Sequence, residues 1–275
     1  MLTVPRVLRL QFWATTVAVL ALIYAVLAYL ALPEVWSHYE HQPGLAGRPM
    51  LTTTTTGIPG DPINVGLVGS RGELVQALVT AGWRPADAIT LRSSLGIGLS
   101  VLFARPYPQA PVSTLKFDGR PQDLAFEKAE GGSADRRHHV RFWQALDRGT
   151  EGRPVWLGAA SFDRGVGFSH FTGQVTHHIA PDIDAERDFV IAGLTAAGML
   201  DATYQVSGIG PTLTGVNGGG DRYFTDGEVT IGVLSVNAAK VAEAPRELAN
   251  PPAVEVKQSA WQAVARLFRW LGGGR

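Results

Sequence analysis

The sequence predicts an α+β protein, a single soluble domain with an antiparallel sheet and a few helices, preceded by one transmembrane helix. Three observations carry that prediction. An uncharged apolar run from Leu10 to Leu32 opens the chain. Short segments of alternating or continuous apolar character, strand-like in length, fill its centre. Two central segments, after Ser70 and after Asp182, set a helix-capping residue ahead of an apolar 3.6-residue period.

The bulk composition narrows the function classes. The chain has 275 residues, enough for one ordinary domain with appendages. Its 24 basic and 24 acidic residues cancel, so no overall positive field exists to hold a polyanion, and no nucleic-acid partner is expected. There are no cysteines, which removes disulfides, thiolate metal sites and cysteine nucleophiles. Any metal, zinc or another divalent ion, would need histidine and carboxylate ligands.

Residues 1–32 read as a cytoplasmic N-terminus and membrane anchor. As a helix, Leu10 to Leu32 spans about 35 Å, enough to cross the hydrocarbon core. Arg6 and Arg9 precede it, whereas Glu34 and Glu40 follow before the next basic residue, Arg48. The positive-inside bias then puts the N-terminus in the cytoplasm and the main domain outside it. A cleaved signal peptide fits less well: the run exceeds a signal core of about 7–15 residues, and Leu30-Ala31-Leu32-Pro33 lacks a small-x-small cleavage site.

Residues 33–62 read as a flexible linker, rich in Pro and Gly and carrying the run Thr52 to Thr56. The domain is expected over 63–240. Its first strand is Ile63 to Val68, and Ser70 and Glu73 have capping-box spacing for a helix from Arg71 to Ala81. Leu99 to Ala104 and Leu124 to Lys128 read as strands around the proline-rich loop Arg105 to Pro111. Arg137 to Ala145, Pro154 to Phe162 and Gly173 to Ile179 read as an antiparallel meander. Pro181 and Asp182 open a second helix, Asp184 to Ala197. Thr203 to Ser207 and Val229 to Val236 close the domain, joined through the glycines Gly218 to Gly220. Residues 241–275 read as a linker, Pro245 to Pro252, and an amphipathic helix, Lys257 to Leu271. That helix either lies on a membrane surface or docks on the domain.

The chemistry concentrates in two histidine pairs, His138-His139 and His177-His178. With Asp184 they form the candidate metal set, and Asp163, His138 and His177 are the candidate acid–base residues. The carboxylates of Asp182, Asp184 and Glu186 also suit the first turn of a helix without any ligand. Strand alternation allows only one member of each pair to face a shared site. The neighbours Val140 and Phe142 select His138, and Val175 and Ile179 select His177. Their strands flank a middle strand of small residues, Gly158 to Ser161, but the simple register separates the two rings by roughly 14 Å. The segment Phe162-Asp163-Arg164-Gly165 also reads as a strand end and turn. Arg120, Arg137 and Arg141 are the candidate anion site, fit for a phosphate-bearing lipid or sugar. No G-x-S-x-G, H-E-x-x-H or phosphate-loop signature is present.

Several blocks together resemble one family. They are Ile63-Asn64-Val65-Gly66-Leu67-Val68-Gly69-Ser70, Ala81-Gly82-Trp83-Arg84-Pro85, Gly119-Arg120-Pro121-Gln122-Asp123-Leu124, Arg137-His138-His139-Val140-Arg141-Phe142-Trp143 and Trp156-Leu157-Gly158-Ala159-Ala160-Ser161-Phe162-Asp163, continued by His177-His178 and Asp184-Ala185-Glu186-Arg187-Asp188. The chain is similar there to the LssY C-terminal domain family. Longer members resemble fusions to membrane proteins of the DedA type or to phosphatidic-acid-phosphatase-like domains, which implies an envelope or lipid setting. The resemblance brings no catalytic residue with it. The expected function is therefore that of a membrane-anchored envelope protein, a binding or accessory module for a lipid-linked ligand or an envelope protein partner. The alternative is a metal-dependent or acid–base hydrolase acting on an envelope lipid, phosphate or glycan.

Overall fold

A computed structural model describes residues 6–86, 114–130, 136–171, 173, 175–210 and 212–272. The strand expected over Leu99 to Ala104 and the loop Arg105 to Pro111 lie outside the described residues.

The chain opens with helix α1 (Arg6–Val26), which runs on through a π-helical turn, Leu27–Ala31, into Leu32–Trp36. Val7–Glu34 is one helix of 28 residues, long and apolar enough to cross a membrane, and its apolar window is 0% buried against the rest of the chain. Then come β1 (Leu51–Thr54), β2 (Pro59–Pro62), β3 (Val65–Val68), α2 (Arg71–Thr80), β4 (Arg84–Pro85), β5 (Leu115–Phe117), β6 (Arg120–Pro121), β7 (Leu124–Ala129), β8 (Arg137–Leu146), β9 (Val155–Phe168) and β10 (Val175–Ile179). After α3 (Ile183–Ala196) follow β11 (Leu200–Ser207), β12 (Thr212–Val216), β13 (Arg222–Thr225), β14 (Glu228–Leu234), β15 (Arg246–Glu247) and α4 (Pro252–Gly272).

The main sheet has the order β15-β11-β14-β3-β9-β8-β7-β4, with β10 also pairing β9. The α+β class predicted from sequence is the class observed. The sheet is mixed rather than wholly antiparallel, because β3 runs parallel to β14 and β15 parallel to β11. The meander is present, with β8 and β10 both antiparallel to β9.

Two apolar layers sandwich the sheet. On one face, α2 and α3 bury Leu74, Leu78, Val190 and Leu194 against Val65, Leu67, Val140, Phe142 and Trp156. Alternation sends Trp143, Leu157 and Ala159 to the opposite face, where they meet Leu45, Met50 and Phe117. The small residues of β9 make room for neighbouring strands. A β-carbon at Gly158 would stand 2.7 Å from Cε1 of Phe142, its cross-strand partner.

The second layer corrects the linker expectation. Residues 38–62 pack onto the domain: β1 pairs with β2 and β5, and Leu45, Met50, Thr52 and Asp61 are buried. Proline and glycine here bend the chain around short strands instead of leaving it extended. The stretch Pro245 to Pro252 likewise holds β15, paired to β11. Helix α4 docks by its first turns, where Val254 and Lys257 are buried and Gln258 bonds Gln205, while Val264 further along is exposed.

Candidate functional site

The site begins with the register of β8 on β9. Arg137 lies opposite Asp163, His139 opposite Ser161 and Arg141 opposite Ala159. Opposed residues share a face, so these polar side chains gather on the side away from α2 and α3. His138, Val140 and Phe142 take the helix side. On the other edge of β9, Ile179 pairs with Asp163 but His178 pairs with Gly165, leaving Arg164 as an extra residue. The extra residue shifts the register of β9 beyond it, while β10 keeps its own alternation. His177, two residues from Ile179 on β10, shares the face of Ile179 and its partner Asp163, and so turns to Asp163.

The resulting cluster is continuous. Ser161 Oγ lies 2.8 Å from His139 Nε2, and His139 Nδ1 lies 3.2 Å from Asp163 Oδ1. Arg137 Nε donates to Asp163 Oδ2 at 3.1 Å, and its Nη1 donates to Glu127 Oε2 at 3.0 Å. Arg137 Nη2 is 3.2 Å from His177 Nε2, and His177 Nδ1 is 3.5 Å from Asp163 Oδ2. Burial alone would raise the pKa of Asp163, but His139, Arg137 and His177 outweigh it and hold the carboxylate at about 2.

Arg141 completes the cluster from below. It is buried, with Nη1 3.5 Å from Asp61 Oδ2. Its Nε and Nη1 have no hydrogen-bond partner among the described residues. Asp61 is held independently, since Asn217 Nδ2 donates to its Oδ1 at 3.3 Å and Ser161 Oγ donates to its Oδ2 at 3.4 Å. Burial pulls the pKa of Arg141 down in spite of Asp61 and Asp163, so holding this charge inside carries a cost.

A comparison with protein-family models matches residues 41–229 to the LssY C-terminus. That span is more than half of the chain and holds every residue of the cluster. The chain belongs to the LssY C-terminus family. No curated protein and no solved structure matches it. The matched span begins before β1, in agreement with residues 38–62 being packed on the domain.

Within this LssY C-terminus domain the sequence-derived candidates separate. Asp163, His139, His177, Arg137 and Arg141 come together. His138 does not join them, although alternation had paired it with His177, because it lies opposite Phe162 on the helix side, whereas His177 shares the face of Ile179 and its partner Asp163. Its Nδ1 is 2.8 Å from Glu186 Oε2, and its ring stacks on Phe189 at 3.8 Å. Asp184 is engaged elsewhere: it accepts from Thr225 Oγ1 at 2.5 Å and from the Asp226 amide at 2.7 Å. Burial and then Asp226 raise its pKa to about 6 against the pull of Arg187. Arg120 is exposed and donates to the Gln144 carbonyl at 2.8 Å, apart from Arg137 and Arg141. His178 points to Asp221, with Nδ1 2.7 Å from Oδ1. Asp163 lies inside β9 and not in a turn, because the strand passes through the bulge to Phe168.

Ser161, Asp61 and Glu127 were not singled out by sequence. Ser161 shares the alternation of Asp163 two residues on, a signal that was present. Asp61 stood in a segment that resembled a tether, and Glu127 in a strand whose partner was unknown.

Proposed function

We propose that this LssY C-terminus domain is a binding module of the cell envelope, tethered by α1 with its N-terminus in the cytoplasm and its domain outside. It takes a phosphate oxygen of a lipid-linked ligand at Arg141. The observation that carries this reading is the buried guanidinium with unused Nε and Nη1 donors. A buried charged donor left without a hydrogen bond costs at least about 1–3 kcal/mol, and an oxyanion with two acceptor oxygens recovers that cost in fork geometry. Asp61 can release Arg141 because Asn217 and Ser161 continue to hold it. The basic residues Arg6 and Arg9 before the apolar helix support the orientation.

The test uses the full chain in detergent micelles with a short-chain phosphatidate as probe. The parent binds, and R141M binds at least about tenfold more weakly while remaining folded. Equal binding by both proteins, or binding by neither, contradicts the reading.

A second reading rests on the chain Ser161–His139–Asp163, in which a hydroxyl, a base and an orienting carboxylate follow one another within 3.2 Å. It makes the domain a hydrolase with Ser161 as nucleophile. Covalent labelling of the parent by a fluorophosphonate, absent in S161A, supports it, and an unlabelled parent ends it.

A further inference from the structure

A second polar cluster lies at the far end of the β9–β10 hairpin, built by residues that the Arg141 reading does not use. One ligand atom each from His170, His178 and Asp221 all lie within 4.8 Å of one another. We propose that these three residues form a binding site for a divalent transition ion of the zinc class, with at least one coordination position left to solvent or to an exogenous oxygen ligand.

The site is supported from both sides. Asp221 closes the turn between β12 and β13, and the Asn217 side-chain oxygen accepts from the amides of Gly219 and Asp221 at 3.0 and 2.9 Å. One oxygen of Asp221, Oδ2, accepts from the Ile179 amide at 3.0 Å, which leaves Oδ1 directed at His178. The backbone of His170 is tied to the same turn, its amide donating to the Gly219 carbonyl at 3.0 Å. Two glycines permit the approach. A β-carbon at Gly167 would collide with the ring of His178 at Nε2, which leaves Nδ1 as the nitrogen facing Asp221. Gly220, at φ +91°, carries the chain past His170, where a β-carbon would meet the histidine Cβ at 2.5 Å.

The donor set fits the ion. Two imidazoles and one carboxylate suit zinc and its neighbours, and three protein ligands leave an open position, as in catalytic rather than structural sites. Ligands about 2.1 Å from a tetrahedral zinc stand roughly 3.4 Å apart. His170 is exposed, and a rotamer change of its side chain closes the remaining gap. A carboxylate bonded to the Ile179 amide and a histidine backed by Gly167 are the fixed ligands, and His170 is the mobile one.

The experiment is zinc titration of the full chain in detergent micelles, purified without a histidine tag and stripped with chelator. Cobalt serves as the spectroscopic substitute. The expected result is one equivalent of zinc per chain and the ligand-field bands of low-coordinate cobalt in the parent. In H170A the affinity falls at least about a hundredfold with unchanged thermal stability of the metal-free protein. D221N keeps an acceptor for the Ile179 amide, so it folds and loses the metal likewise. H138A, which alters a histidine outside the cluster, keeps it. Absence of stoichiometric zinc in the parent overturns the proposal, and so does zinc retained by H170A and D221N.

Discussion

Arg141 and Asp163 sit in one cluster, yet their surroundings act on them in opposite directions. Asp163 is surrounded by donors that favour its charge, whereas burial disfavours the charge of Arg141. The pH dependence follows from the first. The folded-state pKa of Asp163, about 2, lies below its ordinary 3.8, so its contribution is present above the unfolded value. That contribution, about 2 kcal/mol, is lost as pH falls through the folded value. Denaturant titrations of the parent between about pH 5 and pH 2 should show this loss, and D163N should be less stable at neutral pH and lack that part of the acid dependence. The sequence singled out Asp163, His177, Arg137 and Arg141 by residue type and by their closeness to the histidine pairs. Alternation grouped His177 with His138 on the strength of apolar neighbours, but both faces of this sheet are buried, so Val140 and Phe142 mark the helix side and do not place His138 in the cluster.

At the scale of elements, those with short-range determinants were legible and those made by long-range pairing were not. Helix α2 begins at the predicted capping box: the Glu73 amide donates to Ser70 Oγ, and the Ser70 amide donates to Glu73 Oε2 at 2.7 Å. Glu73 also accepts from Arg153 at 2.8 Å and from the Asn237 amide at 2.8 Å, tying the helix to the β9 entry and to the end of β14. Burial opposes its ionisation, but Arg153 and the amides prevail and lower its pKa to about 2. S70A should therefore cost about 1 kcal/mol, the usual loss of one cap, whereas E73A, which leaves Arg153 and two amides without their acceptor, should cost clearly more. Chemical denaturation of the two variants checks the order. By contrast, β1 and β2 hide in a proline- and threonine-rich segment, since their pairing depends on β5, far along the chain. The amphipathic face of α4 was visible, but the residue that docks it is Lys257, whose partner Glu228 lies on β14.

At the scale of the whole molecule, both ends of the chain converge on Glu228. His38, just after the apolar N-terminal helix, stands 2.7 Å from Glu228 Oε2, and Lys257 of α4 contacts the other oxygen. All three are buried. The segment that follows the apolar helix is thereby fixed to the sheet, with Leu32–Trp36 packed beside α4. K257M leaves a buried carboxylate short of one cation, a change that costs about 3–5 kcal/mol and lowers Tm by roughly 10 °C. His38, whose pKa burial and Lys257 hold below the ordinary 6.5, should titrate higher in that variant, a shift that histidine NMR resolves. The central claim, that Arg141 is kept for a ligand and not for the fold, is most directly tested by the thermal unfolding of R141M beside the parent, each with and without short-chain phosphatidate. The account predicts that R141M melts at or above the parent's temperature, because burial already disfavours the charge, and that phosphatidate raises the Tm of the parent alone. An R141M protein that melts roughly 10 °C lower, together with a parent that phosphatidate does not stabilise, would make Arg141 a structural partner of Asp61 and contradict the account.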